Sequence, residues 1–185
     1  MMIKGENFPT QLWCSKKFQR LTRIRIDPVR NDIYFPPKPL GGLWTSTFTP
    51  NYTFCSGWLS WCSTNMPKWL PESENCCWVL IPSPNAKIYE VDNEDDYISL
   101  FKKGYRYYHE ILNKWCIDWE KLSKDYDALH LTESGLVECA TTNFELNYPE
   151  LHSLYGWDCE STVWFRWKFD KAIPLSYVPH RCKVR

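Results

Sequence analysis

The chain has 185 residues, a formal net charge of zero from 22 basic and 22 acidic side chains, and a hydrophobic fraction of 44%. That length suits one domain with its own core, and the balanced charge excludes a global field that would draw the protein onto nucleic acid. No run approaches about 18 consecutive apolar residues, so no membrane helix is expected, and the opening MMIKGENFPT lacks the apolar stretch of a secretory signal.

Leu21 to Ile26, LTRIRI, alternates and predicts a half-buried strand with Arg23 and Arg25 on one face. Asp27-Pro28 ends it, and Phe35-Pro36-Pro37-Lys38-Pro39 is extended, because proline fixes its own φ and biases the preceding residue away from helix. Gly41-Gly42 permit a turn or a close backbone approach before a strand at Leu43 to Phe48. Trp58, Trp61 and Cys62 recur at helical spacing within Phe54 to Ser63, a predicted short helix. Trp78 to Pro82 and Lys87 to Val91 read as strands on either side of the turn Ser83-Pro84-Asn85. A helix is expected over Asp92 to Gly104, entered through acids that suit its dipole, and another from an Asp118 cap through Lys124. Ala128 to Thr132 and Leu136 to Cys139 resemble a hairpin turning at Ser134-Gly135. Pro149 to Tyr155 reads as a short helix stopped by Gly156, and Thr162 to Phe169, TVWFRWKF, as an alternating strand. The sum is a single mixed α+β domain of short strands, without βαβ crossovers.

Nine cysteines, an odd number without a signal segment, point to reduced thiols and a cytoplasmic protein. Cys55, Cys62, Cys76 and Cys77 are close in sequence but lack paired C-x2-C knuckles, so no metal is expected. Charge is uneven. Lys16, Lys17, Arg20, Arg23, Arg25 and Arg30 crowd the N-terminal segment, and Arg181, Lys183 and Arg185 stand at the other end. Such runs suit a phosphate backbone, an acidic partner or simply solvent.

Several chemistries lack their motifs. There is no G-x-S-x-G elbow, no P-loop and no G-x-G-x-x-G, and the four histidines have no motif around them. His130, in the apolar run ALHLT, reads as a satisfied structural residue. One carboxylate stands apart: in YGWDCESTVWF, Glu160 precedes an aromatic strand and is followed by the hydroxyls of Ser161 and Thr162. With 11 Trp and 11 Tyr, the chain has more flat, polar-tipped surface than packing alone requires.

A strand arginine, then GGLWTSTF at Gly41 to Phe48, then SGWLSWC at Ser56 to Cys62, then the late Glu160, resembles the ADP-ribosyltransferase superfamily in element order. The GGLWTSTF and SGWLSWC stretches look like its polymerase branch, and WTST also resembles the Ser-Thr-Ser strand of its arginine-first branch, so the chain falls between branches. Two residues before Glu160 stands Asp158, in place of the Glu or Gln of enzymes that target arginine.

The resemblance implies an α+β fold of split antiparallel sheets with short helices, and a cleft that binds NAD as co-substrate. It implies catalytic roles for Glu160, which would face the oxocarbenium-like transition state and grip the ribose, and for Arg25 and Ser46. Arg25, or Arg23, would pair with the pyrophosphate. Trp44, Trp58 or Trp61 would stack on nicotinamide, main chain near Gly42 would bind its amide, and Thr45 or Ser46 would position the ribose or Glu160. The implied function is transfer of ADP-ribose to RNA, DNA or protein by a small toxin or a phage or defence effector, with a neutralising antitoxin protein as a further partner and no membrane. The alternatives are a non-catalytic binding or inhibitor module that keeps the aromatic pocket, and a glycohydrolase or phosphotransferase on the same fold.

Overall fold

The computed structural model describes residues 1–17, 21, 26–51, 53–73 and 75–176. Of the predicted strand LTRIRI, Leu21 to Ile26, residues 22–25 lie outside the described residues, Arg23 and Arg25 among them. The described strands are β1 (Met2–Lys4), β2 (Gln11–Cys14), β3 (Leu43–Thr47), β4 (Cys77–Pro82), β5 (Lys87–Val91), β6 (Arg106–His109), β7 (Lys114–Ile117), β8 (Ala128–Leu131), β9 (Ser161–Trp164) and β10 (Phe169–Pro174). The helices are α1 (Gly57–Asn65), α2 (Glu94–Lys102), α3 (Trp119–Asp125), α4 (Glu133–Cys139) and α5 (Thr142–Asn147).

Eight strands form one curled sheet in the order β1-β5-β8-β9-β3-β2-β4-β10, and β6-β7 make a separate hairpin. β3 joins two halves. It pairs with β9 through Leu43↔Trp164, Trp44↔Val163 and Thr45↔Thr162, but with β2 only at Gln11↔Thr47 and Leu12↔Ser46. Beyond Ser46 the two strands part, while β2 continues along β4 as far as Cys14↔Cys77.

Both faces of the sheet's first half are covered, which explains the uniformly buried β8. Leu129 and Leu131 pack toward Tyr97, Leu100, Trp119, Leu122 and Phe144 of the helical layer. Ala128 turns to the opposite core of Phe8, Leu80, Ile88, Trp164 and Phe169. A third, smaller core of Leu12, Leu59, Cys77 and Val79 sits beneath α1. Among the described residues no helix is long and apolar enough to cross a membrane.

Local capping chemistry places the helices. Ser56 caps α1 by accepting the N–H of Leu59, Asn93 caps α2 through Asp96, and Asp118 caps α3 through Lys121. The expected hairpin at Ser134-Gly135 is not formed. Leu136 to Cys139 belongs to α4, which begins where Thr132 Oγ1 accepts the Gly135 N–H at 3.0 Å. Gly135 is a packing glycine: a Cβ there would stand 2.2 Å from the Val91 carbonyl oxygen. Gly135→Ala is therefore expected to destabilise the protein by about 1–3 kcal/mol through overpacking, outweighing alanine's helix preference of up to about 1 kcal/mol. Urea unfolding would check this, and a midpoint at or above wild type would show that α4 can move off the sheet.

Three further expectations are corrected. The helix near Pro149 lies earlier, at α5, because residues 150–152 instead bond the main chain of Trp115, which donates to the Glu150 carbonyl and accepts from the His152 N–H. TVWFRWKF breaks after Trp164, and its second part crosses to the far edge of the sheet with Arg166 and Lys168 beside Asp127, at 3.5 and 3.9 Å. A crossover does exist: β5 and β8 are parallel, and the chain between them runs through α2, the β6-β7 hairpin and α3.

Candidate functional site

The approach to β3 explains its glycines. Gly41 and Gly42 both have positive φ, +80° and +76°, and a Cβ would meet Pro28 O at 2.6 Å or Val163 Cγ2 at 2.8 Å. Only glycine fits this bend, and it delivers the chain into β3 with the Gly42 N–H bonded to Asp27 O at 3.1 Å.

Where β2 and β3 part, the sheet opens into a cleft of about 500 Å³, within the range of small-molecule sites. Trp13 and Cys14 form one wall and Gly42 to Ser46 the other, which Lys38, Trp58, Trp157 and Asp158 extend. Trp44 packs edge-to-face on Trp157, with centroids 4.8 Å apart. Lys38 Nζ lies 5.7 Å over the Trp44 ring and 3.4 Å from Asp158. The Thr45 hydroxyl donates to Gln11 Oε1 at 2.7 Å and accepts from Trp164 Nε1 at 3.0 Å, so it is engaged in the core. What Thr45 offers the cleft is main chain.

Glu160 sits just before β9, 8% exposed. Its carboxylate accepts the Thr47 N–H at 3.0 and 3.1 Å and the Thr47 hydroxyl at 2.9 Å, which ties it to the end of β3. Burial pushes its pKa up to about 7, against the lowering effect of the two Thr47 donors. Beside it on β8 is His130. Its Nδ1 lies 2.8 Å from Thr162 Oγ1 and 3.5 Å from Glu160 Oε1, and its Nε2 is 4.0 Å from Glu90 Oε2. Burial lowers the imidazole pKa to about 4, so the ring is neutral near pH 7.

Glu160 also borders a second, wider cleft of about 980 Å³, with Thr47, Gly57, Ser60, Trp61 and Glu133. Asp158 and Cys159 are shared between the two clefts. The predicted site residues are thus distributed. Gly42, Trp44, Thr45, Ser46 and Trp58 line the first cleft, whereas Trp61 and Glu160 line the second. Trp58 and Trp61 stack on one another at 5.4 Å, and Trp69 completes the cluster at 5.9 and 6.1 Å.

Three residues that the sequence did not assign to a site join this region: His130, read there as structural, Lys38 and Trp157. Nothing local marked His130, since its neighbours Thr162 and Glu160 are distant in sequence. Lys38 is hidden in a proline run, and Trp157 lies directly before the Asp158-Cys159-Glu160 stretch already singled out. Among the described residues no group of three or more His, Cys, Asp or Glu is placed to hold a metal ion. The chain matches no protein-family model, no curated protein and no solved structure.

Proposed function

We propose that the protein is a NAD-consuming ADP-ribosyltransferase that modifies a macromolecule, RNA, DNA or protein, as a small toxin or a phage or defence effector acting in the cytoplasm. The observation that carries this reading is the tie between Glu160 and β3: a buried carboxylate held by Thr47 at the end of the strand whose Gly42–Ser46 main chain walls an aromatic cleft.

The first cleft suits the nicotinamide end of NAD. Trp44, Trp58 and Trp157 offer flat faces, and the β2-side edge of β3 offers main chain where its ladder with β2 has ended. Lys38 is the cation on that wall among the described residues and would meet a pyrophosphate as a point charge. Arg25 or Arg23, both outside the described residues, keeps its proposed role toward the pyrophosphate, and Ser46 its role beside the ribose. In the transfer, the bond between the ribose anomeric carbon and the pyridinium nitrogen breaks, and its electron pair leaves with neutral nicotinamide. An acceptor nucleophile then forms a bond to that carbon and gives up its proton. Ionised Glu160 stabilises the positive charge that develops on the ribose. The second cleft, open beside Glu160 and Trp61, is the proposed side of entry for the acceptor. A neutralising antitoxin protein that covers this side would silence the enzyme.

NAD should quench tryptophan fluorescence and bind measurably in isothermal titration. Trp58→Ala should weaken that binding about tenfold, the scale of one lost aromatic stack. Intact masses of RNA, DNA and protein acceptors, with and without NAD, would then identify the product. No heat at about millimolar NAD, a concentration that even a weak site fills, would remove the reading's main support. Binding without nicotinamide release would favour a non-catalytic module.

A further inference from the structure

We propose that Cys14 and Cys77 are an oxidisable pair, joined by a reversible cross-strand disulfide when the folded protein meets a small disulfide of the oxidised-glutathione class. The two residues are directly opposed on antiparallel strands β2 and β4. The Ser15 N–H bonds Cys76 O at 2.9 Å, which makes the next pair along, Cys14 and Cys77, a non-hydrogen-bonded one. The Cys77 carbonyl confirms this alternation, because it accepts the Leu175 N–H on the β10 side of the strand. At such a pair the side chains approach most closely, with Cα atoms about 4.5 Å apart, inside the range of about 4.4–6.8 Å that disulfides span. The sulfurs are already in contact, Cys14 Sγ to Cys77 Sγ at 2.7 Å. No backbone movement is needed to bring them together.

Access is asymmetric. Cys14 is half-buried and forms part of the wall of the first cleft, whereas Cys77 is 1% exposed beneath it. Cys14 is therefore the attacking thiol and Cys77 the resolving one. The Cys14 thiolate attacks one sulfur of the oxidant and expels one glutathione thiolate, leaving a mixed disulfide on Cys14. The Cys77 thiolate then attacks Cys14 Sγ and expels the second glutathione. Two protein thiols are oxidised, one glutathione disulfide is reduced to two thiols, and the two protein protons end on the glutathione. Burial, the Cys77 contact and the neighbouring Cys62 and Cys76 thiols raise the Cys14 pKa, so the exchange is slow at neutral pH and accelerates as pH rises. Cys76 provides an internal control. Its Sγ lies 3.3 Å from Ser73 Oγ, and it stands one residue before β4, where its main chain bonds Ser15.

The proposal does not depend on NAD chemistry, and its readout is covalent. Folded protein is equilibrated with excess oxidised glutathione, denatured in acid, alkylated and mapped by peptide mass spectrometry. The expected result is one linked peptide pair, Cys14 to Cys77, reversed by dithiothreitol and accompanied by a higher Tm in the oxidised form. Cys76→Ser should keep the link. Cys77→Ser should abolish it and leave glutathione trapped on Cys14, and Cys14→Ser should abolish both. Alkylation of Cys14 and Cys77 in the equilibrated wild type, or a link from Cys14 to Cys76, would overturn the proposal. The wild-type map alone decides this, so the test survives if a serine variant fails to fold.

Discussion

Glu160→Gln should lower NAD turnover by about 100-fold or more while leaving the protein folded, because the amide keeps the shape but cannot offer a full negative charge to the ribosyl cation. The same substitution should raise stability in alkaline solution. Folded Glu160 has a pKa of about 7, against an ordinary value of 4.5. The folded state therefore binds an extra proton between those two values. The stability this group contributes is fully present below about pH 4.5 and is lost as pH rises through about 7. Glutamine removes the loss, so above pH 7 the variant should gain on the order of 3 kcal/mol over wild type, less whatever its amide N–H groups cost unpaired. Wild-type kcat/KM should in turn rise with pH through about 7, as the carboxylate ionises. A site that is merely structural would not show activity and stability moving in opposite directions. Glu138, which accepts the Glu94 N–H, and Glu145, which pairs with Lys114, are control acids whose Gln variants should retain turnover. Full NAD consumption by Glu160→Gln, with loss in a control, would mean that the chemistry sits on another strand.

The neutral imidazole of His130 bears on the same titration. It stands between Thr162, Glu160 and Glu90, and it stays uncharged until the pH falls well below the range in which Glu160 ionises. Glu160 thus titrates beside a neutral neighbour, and a single ionisation is expected in the activity profile above pH 5.

What could be read from the sequence was what is decided locally. Gly41-Gly42 announced a bend because only glycine tolerates the φ there, and Asp118 announced a helix because its carboxylate satisfies free N–H groups. Ser134-Gly135 carried the same kind of signal with a different cause, the close approach of α4 to Val91. The β6-β7 hairpin went unread because its turn places Asn113, not glycine, at positive φ. β1 and β2 are too short to show a period; β8 shows none because both of its faces are buried, and it was read as a strand but given a hairpin partner that is α4. In the site, Glu160 and the β3 lip were visible as motifs. The contact with His130 was not, since a buried histidine on a strand looks the same whether its neighbour is a core methyl or a carboxylate.

Trp119→Ala should produce the largest loss of stability, about 3–5 kcal/mol for a fully buried tryptophan, and its effect should reach the cleft. The segment Phe35 to Pro39 is poor in N–H donors, because prolines can only accept hydrogen bonds. Its carbonyls are met by two donor-only indoles: Trp119 Nε1 bonds Pro36 O at 3.0 Å, and Trp157 Nε1 bonds Pro37 O at 2.7 Å. The two rings stack at 6.3 Å, and Asn31 clamps the start of α3 by accepting the Trp119 N–H at 2.7 Å. Immediately after these carbonyls come Lys38 and Pro39, on the wall of the first cleft. Trp119→Phe separates packing from hydrogen bonding. It keeps most of the apolar volume but strands the Pro36 carbonyl, at a cost of about 1–3 kcal/mol, and it should weaken NAD binding by loosening Lys38. Both variants are measured by urea unfolding and by titration with NAD. If Trp119→Phe stays within about 0.5 kcal/mol of wild type, the range of an ordinary surface change, the indole bond does not hold the proline segment. The cleft wall would then owe its position to Gly41-Gly42 and β3 alone.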